Sequence, residues 1–163
     1  AVERIAQAAR SRWEPTAIEY DATRQRVSIR LSGPESALVQ LAAEVGGEPG
    51  MSNEEWSTYG EFDWALKNRC LIRVPISLGQ MPAVLADLAG PQTRLVVSGA
   101  GNTLWISAES TDGVGDVLNR HGLRGLNFHD TTDALWWGKS PAQNIDRALQ
   151  AVLDPDHRFD AFA

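Results

Sequence analysis

The chain has 163 residues, 43% of them apolar and 22% charged, with a formal charge of -6, which is room for one domain (1–163) with a real core and the composition of an ordinary globular protein. The charge argues against a nucleic-acid partner, since phosphate binding needs clustered Lys and Arg; here the only lysines are Lys67 and Lys139, and the arginines are scattered. No apolar run spans a membrane: the longest, Leu95 to Ala108, is interrupted by Ser98, Gly99, Gly101, Asn102 and Thr103.

Helical spacing of Val2, Ile5, Ala6, Ala9 and Trp13 predicts an N-terminal helix, ended by Pro15. The chain opens on Ala1 and enters this helix at once, as a fragment of a longer chain would, though removal of an initiator Met would leave the same start. Ala17 to Tyr20 and Arg26 to Leu31 read as strands joined by the polar loop Asp21 to Gln25. Gly33-Pro34 opens a helix whose stripe is Leu38, Leu41, Ala42 and Val45, and Gly46-Gly47 closes it. Ser52-Asn53-Glu54-Glu55 has capping-box spacing and starts a helix carrying Trp56, Tyr59, Phe62 and Trp64. Those aromatics form either a packed layer over a sheet or an exposed contact surface.

Cys70 to Ser77 alternates as a strand, with Cys70, Ile72, Val74 and Ile76 on one face and Leu71, Arg73 and Ser77 on the other. Cys70 is the only cysteine, so no internal disulfide forms and the thiol reads as buried and structural. Met81, Val84, Leu85 and Leu88 make a helical stripe ended by Gly90-Pro91. Strands Arg94 to Ser98 and Thr103 to Ala108 flank a Gly-Ala-Gly-Asn turn. Thr111-Asp112 caps a helix bearing Val114, Val117, Leu118 and His121, Gly122 stops it, and Leu123 to His129 is the last strand. Thr131 to Lys139, with Trp136-Trp137, reads as irregular, and a capped helix runs from Ser140 to Leu153. The order from Cys70 to His129 is β-α-β-β-α-β. The expected fold is therefore α+β: a ferredoxin-like split unit, antiparallel, with helices on one face, extended by the N-terminal hairpin.

Three stretches carry a resemblance: Leu71-Ile72-Arg73-Val74-Pro75, Gly101-Asn102-Thr103-Leu104-Trp105-Ile106, and Leu153-Asp154-Pro155-Asp156-His157-Arg158-Phe159. Together with the element order they resemble the C-terminal (cap) domain of FAD-linked oxidases, most of all the flavin-binding accessory subunit of bacterial glycolate oxidase. The likeness runs from about Trp13 onward. In the tail His157 stands where the family has Gly, and Asp160-Ala161-Phe162 where it has Asn-Pro-Gly. The family binds FAD chiefly through an N-terminal domain with glycine-rich loops, and nothing of that kind precedes Trp13. The resemblance thus implies a cap domain separated from its FAD-binding domain, unable to hold FAD or turn over by itself. It implies a 2-hydroxy-acid substrate, flavoprotein and iron–sulfur partner subunits, and a cytoplasmic location or one peripheral to the inner membrane through those subunits. The candidates for cofactor contact are Trp105, Arg158 and Asp160.

Among single residues, Arg73 is the candidate for substrate binding. A strand Arg is costly to bury unless paired, and guanidinium grips a carboxylate through two parallel hydrogen bonds; a structural ion pair is the alternative. His129, beside Asp130, is the candidate general base. His121 reads as a core or capping residue and His157 as a surface one. No metal site is expected, because His121 and His129 lie in different elements without ligand spacing. Ser98-Gly99-Ala100-Gly101 is followed by a strand, so it reads as a hairpin turn and not a dinucleotide loop. The rival to the oxidase reading is a non-enzymatic ferredoxin-like module binding a small molecule or a protein, since such sheets host many functions.

Overall fold

The computed structural model describes residues 1–48, 50–66, 70–129, 135–138, 148 and 151–154, with His129 described through its backbone. These form an α+β structure built on one seven-stranded antiparallel sheet. In chain order the elements are α1 (Val2–Ala9), β1 (Ala17–Asp21), β2 (Arg26–Arg30), α2 (Glu35–Val45), α3 (Asn53–Gly60), β3 (Cys70–Pro75), α4 (Met81–Leu88), β4 (Thr93–Ser98), β5 (Thr103–Ala108), α5 (Val114–Arg120), β6 (Arg124–His129) and β7 (Trp136–Gly138). The strand order is β2-β1-β4-β5-β3-β6-β7.

Period-two alternation sorts every strand onto two faces. On one, Cys70, Ile72 and Val74 of β3, Leu104 and Ile106 of β5, and Leu95 and Val97 of β4 meet Ile5 and Ala8 of α1, Met81, Val84 and Leu88 of α4, and Val114, Val117 and Leu118 of α5. Ile72, Val74, Leu104 and Ile106 are fully buried there. Cys70 is buried among them, its thiol against the Ala108 carbonyl.

Local signals explain most boundaries. Gly46 takes the left-handed conformation (φ 62°) that ends α2. Both bonds of the Ser52/Glu55 capping box form at the start of α3. Other boundaries differ from the sequence reading. α1 stops at Ala9, well before Pro15. α5 begins after Gly113 with no side-chain cap, so Thr111-Asp112 does not cap it. α3 stops at Gly60, and Phe62 sits at φ 59° in a turn.

Two departures bear on the site. Helices do not keep to one face: α1, α4 and α5 share the core side, whereas α3 and the segment after it lie across the other. There Leu66 N–H donates to Ser107 Oγ (3.0 Å) and the Phe62 ring meets Trp105. Trp136–Gly138, read as irregular, is a strand pairing with β6. Three residues are too few for a periodic signal; the strand exists because Trp137 reaches the core while Trp136 does not. Of the helix expected over 140–153, Ala148 and 151–153 are described and are helical. The remainder of it, its start at Ser140, and residues 155–163, with all of the tail motif after Asp154, lie outside the described residues.

Candidate functional site

β3 lies between β5 and β6, and its outward residue Arg73 is the centre of one continuous register row. Across the sheet the row reads Arg26, Asp21, Val96, Trp105, Arg73, Leu126, Trp136. Trp105 is its hub. Phe62 packs edge-on against the indole (centroids 4.6 Å apart), Phe128 does so too (5.5 Å), and the Arg73 guanidinium carbon lies 5.9 Å from the ring centre. Such tilted pairs contribute about 0.5–1.5 kcal/mol each beyond area burial. That offsets the roughly 1–2 kcal/mol of holding a bulky residue in the left-handed region, as Phe62 is. On the row's far end, Arg124 stacks over Trp136 at 3.4 Å.

Segment 61–66 fastens over this face like a strap. Besides Leu66 to Ser107, the Arg94 guanidinium donates to the Trp64 carbonyl (3.0 Å). Beneath the strap and α3, Asp21, Ser28, Val96 and Ser107 are buried although they point away from the core. Beyond Trp105 the cover ends: Arg73, Pro75 and Phe128 are exposed.

The candidates therefore separate. Arg73 is exposed, not buried, so the desolvation argument for a partner does not apply to it. Among the described residues no carboxylate pairs with it. Trp105 is half-buried beside it. His129 enters through its backbone, opposite Leu71 on β3 after a one-residue bulge at Phe128, two register positions from Arg73. Asp130, Arg158 and Asp160 lie outside the described residues. His121 caps the end of α5, its Nε2 2.9 Å from Asp87 Oδ2, which also accepts from Arg120 (2.8 Å). The His121 bond, with Arg120, holds the Asp87 carboxyl below its ordinary value. This staple ties α4 to α5 in the helix layer, on the opposite side of the sheet from Arg73.

One titratable group escaped the sequence reading. Glu19 of β1 accepts a hydrogen bond from Ser98 Oγ of β4. Burial pushes its carboxyl up to about 7, outweighing the opposing effect of the Ser98 hydrogen bond. Ala17-Ile18-Glu19-Tyr20-Asp21 alternates visibly, yet alternation alone reads its polar face as solvated.

The described residues do not form a dinucleotide cradle. Residues Gly99, Ala100 and Gly101 all have positive φ and join β4 to β5, so a strand and not a helix follows them. Gly101 answers to packing: a Cβ there would fall 2.2 Å from Leu78 Cδ2. Among the described residues no cluster of His, Cys, Asp or Glu could hold a metal ion, and no helix is long and apolar enough to cross a membrane. Comparison of the chain with protein-family models, with curated proteins and with solved structures finds no match.

Proposed function

We propose that this chain is the cap domain of a flavin-linked 2-hydroxy-acid oxidoreductase, presenting Arg73 to the substrate carboxylate. The observation that carries the reading is Arg73 itself. Its guanidinium is exposed on a strand with neighbours on both sides, rests against Trp105, and has no carboxylate partner among the described residues. A guanidinium so placed can offer two parallel donors to a carboxylate. The strand order β4-β5-β3-β6, with α4 and α5 as the two connections, supports reading 70–129 as the ferredoxin-like split unit that the resemblance implies.

In this reading FAD is held by protein outside the described residues and supplies hydride acceptance when bound. The chain's own residues bind and orient. Arg73 takes the carboxylate, Trp105 supports the plane of the guanidinium, and Phe62 and Phe128 keep water from the ring between them. His129 is the residue to substitute first in a search for the base that takes the hydroxyl proton. The partners that come with the reading are the FAD-binding domain and the flavoprotein and iron–sulfur subunits.

The test is the intact protein purified from its host, assayed for bound flavin and for 2-hydroxy-acid oxidation. Flavin absorbance that bleaches on adding substrate is expected. Arg73→Ala should raise the half-saturating substrate concentration about ten- to hundredfold, the worth of a charge-assisted bond, with stability changed by less than about 0.5 kcal/mol. A folded but colourless protein, or unchanged substrate affinity in the variant, overturns the reading and leaves the non-enzymatic binding module.

A further inference from the structure

The half of the sheet beyond the strap is built for more than a small anion. Arg73 and Phe128 both lean on the Trp105 indole, and both are exposed; Phe128 is 54% exposed. Phe128 stands at the β6 bulge, the irregularity that shifts register between Leu71 and Ile72. Bulges re-aim side chains in this way and recur beside binding sites. Leu126, directly opposite Arg73 on β6, adds an aliphatic surface. The charge pattern is one-sided. The sequence holds 21 acidic residues, yet β3, β5, β6 and β7 contain none, and their fully charged side chains are Arg73 and Arg124.

A two-carbon hydroxy acid uses one part of this arrangement. Its carboxylate can meet Arg73, but it has no side chain to lay against the Phe128 ring or Leu126. An acid with a bulky apolar group uses both parts, removing exposed aromatic surface from water while its charge stays on the guanidinium. Resting on the reading that Arg73 takes a carboxylate, we propose that this face selects aromatic or bulky apolar carboxylic acids. The carboxylate sits on Arg73 and the side chain on the edge formed by Phe128, Trp105 and Leu126.

The experiment titrates the isotopically labelled 163-residue chain with 3-phenyllactate, 3-phenylpropanoate and glycolate. Magnetic resonance follows the indole N–H of Trp105, assigned by its loss in Trp105→Phe. Both aromatic acids should perturb that signal and bind at least about tenfold more tightly than glycolate, since several methylene equivalents are removed from water. Arg73→Gln should abolish binding of all three acids. Phe128→Ala should bring the aromatic acids down to the affinity of glycolate. Both positions are exposed, and the rest of the spectrum reports whether each variant is folded. Equal affinity for all three acids, lost in Arg73→Gln, overturns the selectivity and leaves the carboxylate site standing. Tight binding of the aromatic acids that survives Arg73→Gln overturns the proposal, because the rings then act without the charge. No perturbation by any acid overturns the carboxylate reading and this inference together.

Discussion

The two sides of this sheet use the same alternating strands and reach different ends. On the helix side, side chains from β3, β4 and β5 interlock with α1, α4 and α5, and the apolar area removed from water is continuous. On the other side, the strap at 61–66 and α3 cover one half, and the rest, from Arg73 to Phe128, stays in contact with solvent. Consecutive residues of one strand thus live in different worlds: Ile106 is fully buried, while Trp105 is the half-covered hub of an aromatic and arginine surface. Alternation supplies two faces, and what covers each of them decides which one holds the fold together and which one stays open to solvent.

The sharpest test of that contrast is a pair of truncations. Ile106→Ala should cost about 2–5 kcal/mol in chemical unfolding, for lost transfer and the cavity left behind. Phe128→Ala should cost less than about 1 kcal/mol, because half of its area is already wet. Similar costs would mean that the second side is also core.

Glu19 tests the covered half of the outer side. Its folded-state value, about 7, lies above the ordinary 4.5. The protonated carboxyl is therefore the form the fold prefers. Its contribution is fully present below about pH 4.5 and is lost as pH rises through about 7. Stability should fall over that window by on the order of 1–3 kcal/mol, discounted for partial exposure. Glu19→Gln should remove this slope and be the more stable protein at pH 8. An unchanged slope in the variant would show that Glu19 is solvated.

The smallest effect concerns the anchor of the cover. Ser52→Ala removes one half of the capping box of α3 and should cost about 0.5–1 kcal/mol. It sharpens the comparison through exchange: protection of the Leu66 amide, which donates to Ser107 Oγ, should drop while that of Ile72 does not, because local opening of the cover leaves the ladder of the sheet closed.

Much of this was legible from residue order alone. The alternation of 70–77 placed Cys70, Ile72 and Val74 on one face and Arg73 on the other, the Gly-Ala-Gly-Asn turn marked a hairpin, and Ser52 with Glu55 marked a helix start. The fold class followed from the succession of these elements. The site was legible only in part: Arg73 and the face of Trp105 could be read, but their meeting could not. Arg73 lies 32 positions from Trp105 in the chain, and only the β3–β5 register makes them neighbours. The same holds for Phe128, set beside Trp105 through a bulge that no local pattern announces.

Residue order by itself determined where most helices and strands run, and which way each strand side chain points, because those depend on contacts within a few residues and on a fixed backbone period. The tertiary structure alone decided that α3 crosses to the outer face, that Trp136–Gly138 joins the sheet, that Glu19 is shielded from water, and that Arg73 is left exposed on Trp105. Each of these depends on which distant segment comes to rest on which face, a choice made by the burial and hydrogen bonding of the whole chain and not by any stretch of it.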